Sequence, residues 1–319
     1  MPEKKSYLPI LYPNLGRQHK TDRLFLDKYY DVLKEPVVEI VEDPKDCDYL
    51  LIPYDFFNIE KFPEYINSFI ELSAKHNKKI LVFDFSDFDK EIKVGPNSII
   101  FRVSLYRSEM RANEIAMPPF IEDLPALPLR TKAAEPTIGF NGYAKFSLRN
   151  LLPLGAHKPG LYFRRKAMTI LENQKGIKTN FISRAGYAGH KDTIGMDVDT
   201  ARQQFLTNLL ESDLVLSPKG DGNYSLRFYE VLASGRIPIL IDTDMILPLE
   251  GELDYSKFIL RVDYKDMYKL PEIVRNFWEN LSDEEFREMQ LVARKAFEEK
   301  LRMDKFLQAN LGRARKGWG

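Results

Sequence analysis

Lys219, Asp221, Ser225, Arg227 and Glu230 crowd into one short stretch whose residue types and spacing suit the binding of a phosphate-bearing ligand. Lys219-Gly220-Asp221-Gly222-Asn223-Tyr224 is turn chemistry, with two glycines free to take positive φ. Ser225 is a good N-cap for a helix over residues 226–234, and Gly235 ends it. The start of such a helix carries free N–H groups and positive partial charge, which favour an anion. Lys219 and Arg227 add full charges, and an arginine fork can hold a pyrophosphate. Arg227 and Glu230 lie three apart and share a helix face, so a carboxylate one turn in can accept hydrogen bonds from ribose hydroxyls. The pattern implies a nucleotide diphosphate bound as a substrate.

Those residues need strands and loops to hold them. Leu214-Val215-Leu216-Ser217-Pro218 is a short apolar run of the kind that forms a buried parallel strand, and Pro238 opens the next one at a tolerated position. Earlier in the chain, strand signals at residues 7–12, 37–41, 48–53, 79–85 and 98–103 alternate with helix signals at 22–33 and 63–76. Residues 117–136 are proline-rich with few periodic positions and read as an interdomain linker. A second strand–helix series begins at Thr137, with helices expected near 162–173 and 200–212 and a strand at 179–183. Ser282-Asp283-Glu284-Glu285 forms a capping box ahead of a long amphipathic stretch. Alternation of this kind predicts two doubly wound α/β domains: 1–130 including the start of the linker, 137–275, and a helical tail over 276–319.

Composition narrows the function. Lys plus Arg and Asp plus Glu are 47 each, so no global basic field invites nucleic acid. The single cysteine, Cys47, excludes an intramolecular disulfide and fits a reducing compartment. No apolar run approaches the ~20 residues of a membrane span, and the start of the chain has no secretory h-region. A cytoplasmic protein is expected, with at most peripheral contact at the inner membrane face.

The stretch at 218–249 resembles the exostosin-type glycosyltransferases. Their Pro-Arg-Gly-Asp-Gly loop appears as Pro218-Lys219-Gly220-Asp221-Gly222, their Ser-x-Arg helix start as Ser225-Leu226-Arg227, and their glutamate as Glu230. Their Gly-x-Ile-Pro-Val strand appears as Gly235-Arg236-Ile237-Pro238-Ile239, and their Leu-Pro-Phe as Leu247-Pro248-Leu249. Lys219 keeps the charge of the usual arginine but not its fork. The resemblance implies a GT-B arrangement of two Rossmann-like domains with C-terminal crossover helices. It further implies an inverting, metal-independent transfer of sugar from a nucleotide-diphosphate donor to a glycan or lipid-linked glycan. Two alternatives remain: an α1,3-fucosyltransferase-like enzyme using GDP-fucose, and a non-catalytic glycan- or partner-binding protein of the same fold.

Other loops at strand ends should complete the donor site. Gly142 could let the backbone approach the phosphates, Ser183 and Arg184 could meet the base or ribose, and Arg165 could aim a guanidinium at the phosphates. The base that takes the acceptor proton is expected on the first domain, from Asp87, Asp84, Asp55 or His19; the resemblance favours Asp87 or Asp84. Asp242-Thr243-Asp244 mimics a metal motif but reads as a turn. Tyr54, Phe56 and Phe57 suit either sugar stacking or a packed core.

Overall fold

The computed structural model of the protein describes residues 4–7, 38–41, 43–121, 124–144, 155–184 and 197–316. Two compact units divide the chain. The first comprises Met1–Phe120, Ile246–Pro248 and Lys300–Gly319; the second comprises Ile121–Met245 and Leu249–Glu299. Residues 276–299 thus belong to the second unit and the chain from 300 onward to the first.

In the first unit, strands β1 (Lys4–Tyr7), β2 (Val38–Val41), β3 (Tyr49–Asp55), β4 (Ile80–Asp84), β5 (Ser98–Arg102) and β6 (Glu114–Ala116) form one sheet. Its order is β2-β1-β3-β4-β5-β6 and every described pairing is parallel. β4 and β5 are buried along their whole length, which is why they read as unbroken apolar runs and not as alternating ones. The short helix α1 (Phe56–Ile59) follows β3 directly, and α2 (Pro63–His76) opens on proline and stops at Asn77 in the left-handed conformation. The helix Met303–Lys316 belongs to this unit: Phe306 meets the ring of Phe101 edge-on, and the Tyr49 hydroxyl donates to the Leu311 carbonyl at 3.2 Å.

The second unit holds β7 (Thr137–Tyr143), α3 (Gly160–Leu171), β8 (Lys178–Arg184), α4 (Val198–Glu211), β9 (Leu214–Leu216), α5 (Leu226–Ala233), β10 (Ile237–Asp242), β11 (Leu260–Asp263), α6 (Leu270–Asn280) and α7 (Asp283–Ala296). The strands are parallel in the order β11-β10-β9-β7-β8. Successive connections therefore leave β7 in opposite directions, and the strand order reverses between β7 and β9. In such sheets the crevice at that switch point, beyond the carboxyl ends of the strands, is where ligands bind. Phe140, Phe163, Met168, Leu216, Ile239 and Trp278 lie in a core beneath it.

The expectation of two Rossmann-like doubly wound domains holds within each unit. The predicted strand at 7–12 and helix at 22–33 fall wholly or largely outside the described residues. β6 and β11 carry too few residues for periodicity to reveal them. The proline-rich stretch differs from a free linker over residues 124–136, which have no strand of their own. Side chains satisfy their backbone: Arg236 Nη2 donates to Pro128 O at 3.0 Å, and Gln290 both accepts from Arg130 N and donates to Arg130 O. Trp278 Nε1 donates to Ala133 O at 2.9 Å.

Trp278 is 2% exposed and packs edge-on against Phe286 with ring centroids 4.9 Å apart. Trp278→Ala should cost about 3–5 kcal/mol in cavity and contacts. Trp278→Phe, which loses chiefly the bond to Ala133, should cost about 1–2 kcal/mol. Urea unfolding of the two variants checks the ranking.

Candidate functional site

The switch point brings together the end of β7 (Asn141-Gly142-Tyr143) and the loop that follows β9 (Ser217 to Tyr224). Helix α5 starts from that loop for a local reason. Ser225 has extended dihedrals and its side chain accepts from Phe228 N at 3.4 Å, an N-cap as read from the sequence. The helix is short because Gly235, at φ 71, closes it: Gly235 N bonds Leu232 O and Arg236 N bonds Val231 O, the paired reach-back of a Schellman end. The positive end of the α5 dipole therefore begins at the loop that follows β9.

Arg227, on the first turn of α5, lies across the end of β7. Its guanidinium sits 4.3 Å from the centroid of Phe140, and Nη2 donates to Asn141 O at 2.5 Å. Gly142 makes this possible. A Cβ there would stand 2.4 Å from Arg227 Nη2, so the glycine is a notch for the guanidinium, a role the sequence did not reveal. Asn141 is 3% exposed, and neither polar atom of its carboxamide finds a partner among the described residues. A buried amide left unsatisfied beside a crevice is a group that a ligand or water can satisfy.

The second bridge is Arg164 on α3. Its Nη1 donates to Tyr143 O at 3.2 Å and its Nη2 to Lys219 O at 3.3 Å, joining the two strand-end loops across the switch point. Arg165, the residue singled out by sequence, is exposed and points elsewhere on the helix. Lys219 is 1% exposed: its Nζ donates to Ala156 O at 2.7 Å and stands 5.6 Å from the ring of Phe163. The lysine thus braces the loop from below and does not project from it. Asn223 is buried and accepts from the Thr243 hydroxyl at 2.6 Å, tying the loop to the end of β10. Gly220 N bonds Tyr224 O, Asp221 is exposed at the tip, Gly222 is buried and Tyr224 is half-buried.

Glu230 lies one turn beyond Arg227, half-buried, with Arg202 Nη1 of α4 at 3.6 Å. Arg202 is a cation that sequence reading did not single out; the spacing of α4 gave no reason to prefer it. Ser183 is exposed, whereas the Arg184 guanidinium is turned inward, donating to Ala201 O at 2.7 Å and reaching Gln204 Oε1 at 3.4 Å. Burial pulls the Arg184 pKa down. Arg184 therefore holds α4 against β8. Asp242 accepts from Met245 N and from Arg261 Nε at 2.8 Å, and Asp244 takes φ 63, the turn that the sequence suggested. No group of metal-ligating side chains occurs among the described residues.

The acceptor-side candidates lie on the first unit. Asp84 is 3% exposed and ion-paired to Arg102 at 3.1 Å; burial, the largest influence, raises its pKa against the pull of Ser86 and Arg102. Asp55 is half-buried and accepts from Phe85 N at 3.1 Å. Asp87 is exposed in the loop after β4, and its carbonyl accepts from Ser104 Oγ at 3.3 Å. His19 lies outside the described residues. Tyr54 and Phe56 are core, whereas Phe57 is 42% exposed.

Residues 154–277 match the family described as Exostosin GT47 domain. Exostosin-1 of Drosophila melanogaster is 33% identical over 75 residues, 24% of this chain and 10% of that protein, so the match spans about a tenth of the relative's length. Among solved structures, TarM aligns with TM-score 0.43 at 12% identity, over 79% of this chain and 52% of its own. A glycosyltransferase from Rickettsia africae ESF-5 aligns at 0.41 and 10% identity, over 99% of each chain. Anabaena Alr3699/HepE in complex with UDP aligns at 0.43 and 10% identity, over 98% of this chain and 99% of its own. The family match falls almost wholly within the second unit.

Packing at the loop yields a contrast between two glycines. At Gly160, where α3 begins, a Cβ would stand 2.1 Å from Gly220 O and 2.3 Å from Lys219 O, both backbone atoms that cannot rotate away. At Gly220 a Cβ would meet nothing nearer than Tyr224 O at 3.5 Å. Gly160→Ala should therefore cost about 1–3 kcal/mol or more. Gly220→Ala should cost less than about 1 kcal/mol, and thermal unfolding of both variants reads the difference.

Proposed function

We propose that this chain, with its exostosin-type domain, is an inverting glycosyltransferase that takes its sugar from a nucleotide diphosphate and passes it to a glycan or lipid-linked glycan. The observation that carries the reading is Arg227, whose guanidinium lies 4.3 Å from the Phe140 ring centroid at the switch point beside the N-terminus of α5. There a diphosphate would meet a guanidinium and the positive end of a helix dipole at once. Glu230, with Arg202 beside it, is the acceptor for ribose hydroxyls.

The chemistry follows from that charge. The acceptor hydroxyl oxygen bonds to the anomeric carbon of the donor sugar as the bond from that carbon to the diphosphate oxygen breaks. The departing nucleoside diphosphate gains negative charge in the transition state, and Arg227 with the α5 N-terminus stabilises it. The hydroxyl proton goes to a carboxylate, for which Asp87 is the exposed candidate and Asp55 the half-buried one. Because fixed positive groups meet the leaving group, no metal is required of this reading, and activity should survive EDTA.

The test is a thermal-shift and sugar-release screen with UDP-, GDP-, dTDP- and CMP-sugars. One diphosphate donor should stabilise the protein by about 2.7 kcal/mol at a hundredfold excess over Kd. Arg227→Ala and Glu230→Ala should each weaken that donor about 10- to 100-fold, as loss of a charge-assisted bond predicts. Gly142→Ala should act like Arg227→Ala, since its methyl takes the space of Nη2, and the double variant should be no weaker than either single one. A preference for GDP-fucose would move the reading to the fucosyltransferase-like alternative. A folded protein that answers to no nucleotide would leave the non-catalytic one.

A further inference from the structure

We propose that the exposed aromatic pair Phe57 and Phe88 on the first unit, with Asp55 and Asp87 next to them in the chain, is a carbohydrate-binding platform that receives the face of a sugar ring. The inference deepens the glycosyltransferase reading by naming its acceptor subsite, and rests on that reading only for the acceptor's role. Phe57 lies in the first turn of α1 at the end of β3, and Phe88 lies in the loop after β4; β3 and β4 are parallel neighbours, so both rings sit at the same end of the sheet. The rings stack with centroids 5.4 Å apart and planes at 23°, yet remain 42% and 51% exposed.

The exposure is built in. A loop free to choose would turn Phe88 inward, because burying such a ring is favourable. Here the backbone beneath it is fixed at successive points. Arg102, 1% exposed, donates from Nη2 to Phe88 O at 2.6 Å and from Nη1 to Asp89 O at 3.4 Å. The same guanidinium is held by Asp84 at 3.1 Å and Glu114 at 2.9 Å. Phe85 N donates to Asp55, Ser104 Oγ donates to Asp87 O, and Lys90 reaches Glu60 at 2.6 Å across the outer side. A buried arginine is thus used to keep an apolar ring in water.

Size and chemistry choose the occupant. A phenylalanine buries about 150–250 Å², so two half-exposed rings offer roughly one ring's worth of area. A stable protein interface needs about 800 Å² from each partner. A sugar ring matches the smaller surface: its C–H face suits the negative face of an aromatic ring, and its hydroxyls donate to carboxylates at the rim.

The test is saturation-transfer NMR and calorimetry with cellohexaose, maltohexaose and an N-acetylglucosamine hexamer, without nucleotide. Wild type should take at least one at millimolar concentration, with transfer strongest to ring C–H protons. Phe57→Ala and Phe88→Ala should each weaken it about 2- to 10-fold, as stacking predicts. The double variant should lose it while keeping its melting temperature and its response to nucleotide. Tyr268→Ala, which removes an exposed aromatic from the second unit, should change nothing. Absence of binding to all three probes overturns the proposal, as does full binding by the double variant. A wild-type dimer that the double variant converts to monomer assigns the patch to self-association and overturns it equally. Sugar binding without any nucleotide response would keep the platform and remove the glycosyl-transfer reading.

Discussion

The contact between the Arg227 guanidinium and the end of β7 governs the chemistry available to the second unit. Three conditions make it. The sheet order sets β9, whose loop leads into α5, directly beside β7. Ser225 fixes where α5 starts and so where its first-turn arginine emerges. Gly142 removes the one methyl that would push the charge away. Arg164 then joins the loops on either side of the crevice, and Gly160 lets α3 approach closely enough for Arg164 to reach. Two guanidinium groups and a helix N-terminus thus converge at the switch point of a parallel sheet.

Buried arginines perform a second task away from that crevice. Arg236 is fully buried and its forks serve Leu209 O, Pro128 O and Gln290; burial pulls its pKa down to about 10, so it stays protonated at neutral pH. Taking a charge out of water costs several kcal/mol, recovered only when its hydrogen bonds are complete. Both Arg236 and Arg102 meet that condition by bonding carbonyls of segments that lack secondary structure. Each converts an irregular stretch, 124–136 in one unit and 85–89 in the other, into a fixed part of the fold. Hydrophobic packing alone is non-directional and could not specify such segments.

The sequence disclosed what periodicity and capping encode. Continuous apolar runs marked β3, β4 and β5, Ser225 and Gly235 bracketed α5, and the capping box at Ser282 is present, with Glu285 Oε2 accepting from Ser282 N at 2.8 Å. What escaped depends on phase or on distant contacts. Arg164 and Arg165 are adjacent, about 100° apart around a helix, and nothing in their neighbours says which one turns to the crevice. Gly142 read as a point of close backbone approach, but what approaches is the side chain of Arg227, from a helix far along the chain. Lys219 read as a charge for the ligand because its type allowed it; the carbonyl that claims it, Ala156, belongs to a short turn without a recognisable pattern.

The loop after β4 sets two aspartates in different surroundings within four residues. Asp84 and Asp87 are alike in sequence. Asp84 lies at the end of a fully buried strand, where Arg102 needs a counter-charge and takes this one. Removing Arg102 would strand both Asp84 and Glu114 in the interior, so the cluster is committed to holding the fold. Asp87 stands in water on the segment which that same arginine fastens by its carbonyls at 88 and 89. The buried aspartate thereby fixes the arginine, the arginine fixes the loop, and the loop presents a carboxylate and an aromatic ring together.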